Sequence, residues 1–198
     1  MAQNPSSRTP ASRPQILCLA GFMGSGKTTI GTLLARQLAW RFVDLDDRIE
    51  EAAGLPIPEI FERLGEPAFR QVEADQLRAA LGRASESKES MVLALGGGTY
   101  AQAGAPEFLR ASGIPVIWLN PSIAVLLARC MTMTGRPLFR DEATFRALYA
   151  QRLPSYQQAD HRVDSSGQPA QVVAEILRLG IISTGHNETH LVVDKPQP

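Results

Sequence analysis

Gly21-Phe22-Met23-Gly24-Ser25-Gly26-Lys27-Thr28 carries the spacing G-x-x-x-x-G-K-[ST]. An apolar run, residues 16–20, precedes it, and Ile30, Leu33, Leu34 and Leu38 follow at helical spacing. A strand, a glycine-rich turn and a helix in that order form a cradle for phosphate. Glycines let the backbone approach a ligand closely. The N–H groups of Gly24, Ser25, Gly26, Lys27, Thr28 and Thr29 would point at phosphate oxygens from the start of the helix. Lys27 supplies charge for the β- and γ-phosphates, and the Thr28 hydroxyl can ligate Mg²⁺. The pattern reads as a nucleoside triphosphate site and leaves the reaction open. The plainer reading is a strand-to-helix turn that binds nothing.

Asp44-Leu45-Asp46-Asp47 follows a second short run, residues 41–43. On a strand end Asp44 and Asp46 face the same side. Beside a phosphate loop one carboxylate can hold Mg²⁺, directly or through water, and the other can orient a hydroxyl or take its proton. Asp47 is expected to cap a helix. Further along, Arg70 and Glu73 stand at i, i+3 within a helical pattern, and Gly96-Gly97-Gly98 ends another buried run. Arg136 lies in residues 131–141, a stretch of little periodicity that suits a lid, and Arg152 lies just before Pro154. Arginine suits bidentate binding of phosphate or carboxylate. Each also has a plain reading: a surface ion pair for Arg70, a tight turn for the glycines, a helix-dipole partner for Arg152.

The elements that must position these groups are legible as alternating apolar runs and helical stripes. Residues 16–20, 41–43, 91–95, 115–119 and 161–164 read as strands; Val172, Val173, Ile176 and Leu177 mark a closing amphipathic helix. Strands separated by helices imply a parallel sheet covered on both faces, with ligands at the carboxyl ends of the strands. At 198 residues the chain is expected to be one domain, 15–182, between tails 1–14 and 183–198. Twenty basic and twenty acidic residues leave a formal net charge of zero, which argues against a general nucleic-acid partner. Two cysteines rule out a disulfide scaffold and suit a reducing compartment, so a cytoplasmic location is expected. No apolar run approaches the ~20 residues needed to span a bilayer.

Taken in order, these motifs resemble the shikimate kinases. The matching elements are the phosphate loop, Asp44-Leu45-Asp46 with Ile49-Glu50, Ile60-Phe61 with Gly65-Glu66, and Phe69-Arg70 with Glu73. Gly96-Gly97-Gly98, Arg136-Pro137-Leu138, and Arg152 with Pro154 and Tyr156 complete the series. The resemblance implies a three-layer α/β/α P-loop NTPase fold of the NMP-kinase-like type, with a five-stranded parallel sheet in order 2-3-1-4-5 and a lid segment. It implies a monomer that uses ATP and Mg²⁺ to phosphorylate the 3-hydroxyl of shikimate on the route to chorismate and the aromatic amino acids. Lys27 would hold the β/γ-phosphates, Thr28 the Mg²⁺, and Asp44 the Mg²⁺ through water. Asp46 would bind the substrate hydroxyls and act as base. Arg70 and Arg152 would clamp the carboxylate, with Gly97 and Gly98 offering backbone contacts and Phe61 and Phe69 packing near the ring. Arg136 would close onto the transferring phosphate, while Arg129 and Pro169 would flank the adenine. The chain departs from the family pattern in carrying Thr28 where Ser is frequent, and in a less basic stretch at Met131-Thr132-Met133-Thr134. A kinase of the same fold acting on another small molecule, and a ligand-binding relative without turnover, are the alternatives.

Overall fold

A computed structural model describes residues 15–131 and 141–182. The expected tails, most of the expected lid and Arg136 lie outside the described residues.

Five strands pair in parallel in the order β2-β3-β1-β4-β5. They are β1 (Ile16–Ala20), β2 (Arg41–Asp44), β3 (Met91–Ala94), β4 (Val116–Leu119) and β5 (His161–Val163). The helices are α1 (Lys27–Leu38), α2 (Leu45–Ala53), α3 (Ile57–Ser87), α4 (Ala105–Ala111), α5 (Ile123–Met131), α6 (Glu142–Tyr156) and α7 (Pro169–Arg178). Side chains of a strand alternate between faces. Leu17 and Leu19 of β1, Val92 of β3 and Ile117 of β4 therefore meet Ile30 and Leu34 of α1 and Val172 and Ile176 of α7. Cys18, Leu93 and Trp118 point to the other face, against Leu45, Ile60, Leu77, Leu109, Phe145 and Tyr156 from α2, α3, α4 and α6. Burial on both faces explains why the central runs are apolar without alternation.

Two local readings change. Leu33, expected on the buried stripe of α1, is 38% exposed; Ile30, Gly31, Leu34 and Ala35 form the buried face instead. The helical pattern around Ile60 and Arg70 is one long helix interrupted at Gly65 (φ 79°, ψ 169°), with Pro67 just beyond. That left-handed φ is open to glycine and strained for other residues, and Pro67 lacks the N–H that a continuous helix needs there. The break redirects the chain so that Phe69, Arg70 and Glu73 ride on the second piece.

Cys18 sits at the centre of β1, and burial pushes its thiol up to about 12. The thiolate is the reactive form. Iodoacetamide at pH 8 is accordingly expected to label Cys18 only after denaturation. Rapid labelling of the native protein, read by mass spectrometry of the Cys18 peptide, would contradict the central position of β1.

Candidate active site

The phosphate loop leaves β1 at its carboxyl end and enters α1. Gly24 and Gly26 hold positive φ (77° and 95°), and Gly26 is the N-cap of α1. No side chain caps α1, and its first turn carries no acid. By contrast α2 and α6 start on Asp44 and Asp141, whose carboxylates accept from Asp46 N and Thr144 N. The first N–H groups of α1 thus meet no capping carboxylate, the arrangement that receives an anion. Lys27 Nζ donates to Gly21 O at 2.9 Å and Phe22 O at 3.3 Å, which folds its ammonium back over the loop. Ser25 is fully buried, and its hydroxyl has no hydrogen-bond partner among the described residues; its carbonyl accepts from Ser165 Oγ at 2.8 Å. An orphaned buried hydroxyl is costly, so a loop carrying one is suited to completing its hydrogen bonding with a ligand.

Thr28 Oγ1 donates to Asp44 Oδ2 at 2.7 Å. A hydroxyl and a carboxylate oxygen at that separation fit a hard cation that keeps several waters and shares substrate phosphates. Asp44 does two jobs, because its Oδ1 accepts from Asp46 N and so caps α2. The cap expected at Asp47 falls at Asp44; Asp46 and Asp47 occupy the first turn of α2. Asp46 therefore reaches the site from a helix start rather than by strand alternation. Burial, together with the nearby Asp44 and Glu50 charges, holds Asp47 above the ordinary carboxylate range, with Arg48 opposing.

Across the site from the loop, two arginines converge. Arg152 Nη1 donates to Gly97 O at 2.9 Å, and its guanidinium lies over the Phe22 ring at 5.6 Å. Arg70 binds Glu73 Oε2 at 2.8 Å and Glu66 Oε1 at 3.0 Å, with its guanidinium 5.0 Å from the Phe69 ring centre. Phe69 in turn packs on Phe61, with centroids 4.5 Å apart. A methyl placed on Gly98 would lie 3.1 Å from Arg152 Nη2 and 3.2 Å from Arg70 Nη1. Both guanidiniums thus converge at the Gly98 Cα, and a bare Cα leaves them close to one another. The Arg70–Glu73 pair is more than a surface contact: Glu73 is 2% exposed and also accepts from Thr99 Oγ1 at 2.7 Å. Gly96 serves the same end, since a Cβ there would fall 2.6 Å from Asp46 Oδ1 and 2.7 Å from Thr99 Oγ1. Buried Tyr156 donates its hydroxyl to Gly97 O, the acceptor it shares with Arg152. Burial pushes the Tyr156 phenol up to about 12, so it stays a donor across the working pH range.

A cleft of about 340 Å³ runs along the phosphate loop and reaches Gly97, the acceptor of Arg152. Lys27, Thr28, Asp44, Asp46, Gly97 and Arg129 line it, with Pro169 at the first turn of α7. Arg129 donates to Gly24 O at 3.2 Å and to Ser165 O at 3.0 Å, tying the loop to the segment after β5. Ser165 and Gly167 also line the cleft and were not singled out from the sequence as ligands. The only hint was their place just past the end of the last strand. Arg136 lies outside the described residues, so the structure does not place it.

A family model described as shikimate kinase matches residues 23–179. The chain belongs to the shikimate kinase family. It is 40% identical to the shikimate kinase of Moorella thermoacetica over 167 residues, covering 83% of this chain and 93% of that enzyme. The Geobacter sulfurreducens shikimate kinase is 43% identical over 162 residues, 80% of this chain and 86% of that one. Among solved structures, the Acinetobacter baumannii shikimate kinase in complex with shikimate superposes with a TM-score of 0.75 at 34% identity, over 84% of this chain and 92% of that one. Shikimate kinases use ATP with Mg²⁺, and the loop and the Thr28–Asp44 pair fit both. The sheet order and the helices on both faces are those of the family, as the resemblance implied. No helix among the described residues is long and apolar enough to cross a membrane.

Proposed function

We propose that this chain transfers the terminal phosphoryl group of ATP to the 3-hydroxyl of shikimate, and that the residues of the cleft divide the work as follows. The observation that carries the reading is the meeting of Arg70 and Arg152 at Gly98, next to Gly97, which lines the same cleft as the phosphate loop. Shikimate has one carboxylate and three hydroxyls, so it needs a cationic clamp at one end and a carboxylate acceptor at the other. Arg70 and Arg152 supply the clamp, held at their outer nitrogens by Glu73 and by the Gly97 carbonyl. Gly97 and Gly98 bring backbone to the substrate, and Phe61 and Phe69 wall its ring. Asp46 orients the reacting hydroxyl and takes its proton as the oxygen–phosphorus bond forms and the bond to the ADP oxygen breaks. Lys27 and the N–H groups of Gly24, Ser25, Gly26, Thr28 and Thr29 hold the phosphates. Mg²⁺, when bound, neutralises phosphate charge at Thr28 and at Asp44. Arg129 and Pro169 flank the adenine, and Arg136 acts on the transferring phosphate. Phosphoryl transfer asks mostly for positioning and charge stabilisation, which is what this set provides.

The absence of net charge supports small anions rather than nucleic acid as partners. The deciding experiment measures ATP-dependent phosphorylation of shikimate beside gluconate and nucleoside monophosphates, with and without Mg²⁺. Turnover confined to shikimate and dependent on Mg²⁺ is expected; preferential turnover of another substrate would refute the reading.

The glycine at position 98 offers a finer test. Its backbone (φ −113°, ψ −12°) is open to alanine, yet the methyl would press on both guanidiniums. Gly98→Ala is expected to raise the shikimate KM about tenfold, equivalent to ~1.4 kcal/mol, with the ATP KM and the thermal midpoint nearly unchanged. An unchanged shikimate KM would remove Gly98 from the substrate site.

A further inference from the structure

The segment between β5 and α7 holds a serine that the division of labour above does not use. Ser165 is 1% exposed, and its hydroxyl donates to the Ser25 carbonyl of the phosphate loop at 2.8 Å, across 140 residues of chain. Its own carbonyl accepts from Arg129 Nη2 at 3.0 Å, while Arg129 Nη1 donates to Gly24 O at 3.2 Å. Two successive carbonyls of the loop are therefore held by one cluster of side chains. The holder is itself fixed. Asn120 N–H donates to Val163 O at 2.9 Å and Ser122 N–H to Ser166 Oγ at 3.0 Å, which ties the segment to the chain after β4. Ser166 N–H donates to Asp164 Oδ1 at 2.8 Å, closing the turn around Ser165.

The Ser25 carbonyl and the Gly26 N–H belong to one peptide plane. In a trans peptide the two groups point in opposite directions. Turning the carbonyl toward Ser165 thus turns the Gly26 N–H away from Ser165. Gly26 is the N-cap of α1, and its φ of 95° is one that glycine adopts without strain. A glycine on one side of a peptide lets that plane rotate at little steric cost, so its orientation needs an outside tether. Without the Ser165 hydroxyl, the Ser25 carbonyl loses a buried donor and the plane is released to seek another.

We propose that Ser165 is a positioning residue for the phosphate loop: by holding the Ser25 carbonyl it aims the Gly26 N–H at the phosphates of the bound nucleotide. The role rests on the reading of the cleft as an ATP site. It is tested by equilibrium titration of the full chain with ADP and with adenosine, which shares the base and sugar and has no phosphate. Ser165→Ala is expected to weaken ADP binding about tenfold, the loss of one well-aimed hydrogen bond to a charged group. Adenosine affinity stays within about twofold, because the hydroxyl acts on the phosphate end. In turnover the ATP KM rises in parallel with the ADP dissociation constant, and the shikimate KM stays within about twofold. The thermal midpoint falls by about 2–4 °C, as for one buried hydrogen bond in a domain of this size. Ser165→Thr keeps the hydroxyl and is expected to hold ADP affinity within about twofold of the parent, a rescue that bulk packing alone does not give. Unchanged ADP affinity in Ser165→Ala would overturn the role. Equal losses for ADP and adenosine would also overturn it, by making Ser165 a wall of the base pocket. Loss of ATP and shikimate affinity alike, with a collapsed melt, would reduce Ser165 to a general structural contact, and failure of Ser165→Thr to recover ADP binding would count against it. The titrations need no phosphoryl acceptor, so a failure to turn over shikimate would overturn the proposed function while ADP and adenosine still judge Ser165.

Discussion

Replacing Lys27 with alanine is expected to lower kcat by about 10³-fold or more, with the fold intact. The ammonium lies over the phosphate loop, held by Gly21 O and Phe22 O at 2.9 and 3.3 Å. In phosphoryl transfer the enzyme contributes mostly placed positive charge, and removing one such group from a preorganised site costs on the order of 10²–10³ in kcat or more. The structural cost is small by comparison. Two partly exposed hydrogen bonds within one loop are lost, each worth about 1 kcal/mol. The measurement pairs steady-state kinetics with a thermal melt. A variant within tenfold of the parent rate would take Lys27 out of the transferring machinery; a collapsed melt would move its role to loop structure.

Arg152→Ala is expected to raise the shikimate KM by roughly 10- to 100-fold while leaving the ATP KM within about twofold. Hydrogen bonds between charged partners contribute ~1.5–3 kcal/mol, and each 1.4 kcal/mol is a factor of ten. The removed guanidinium also leaves the Gly97 carbonyl and the Phe22 face, so a modest loss of stability accompanies the kinetic effect. Gly97 O keeps the Tyr156 hydroxyl as a donor, which limits that loss. Arg152→Lys should recover only part of the affinity, since an ammonium cannot reproduce a planar two-point contact. Equal losses of affinity for ATP and shikimate would indicate a general disturbance of the cleft rather than a carboxylate clamp.

The loop, the strands and the closing helix were legible in the chain because their signals are local. Gly21 through Thr28 lies in one turn, and each strand is a short apolar run. Other features were hidden for the opposite reason. Asp44 and Asp47 are both plausible caps from residue type; only the point where β2 yields to α2 selects Asp44. Arg70 and Glu73 at i, i+3 look like any surface pair until α3, bent at Gly65, buries Glu73 against Thr99. Ser165 and Gly167 carry no distinguishing type or spacing, and they enter the cleft only because β5 ends beside β4 at the sheet edge.

By itself the sequence determined which chemistry was on offer: a phosphate cradle with its lysine and hydroxyl, carboxylates, arginines and glycines in an ordered series that resembles one family. The tertiary structure decided which of them meet. Arg152 reaches Gly97 across 55 residues of chain, and Arg70 reaches the same three glycines from a different helix. Spacing along a chain reports neighbours within a turn or a strand. Contacts between helices on one face of a sheet follow from strand order and register, which bury apolar side chains first and bring the polar ends together as a consequence.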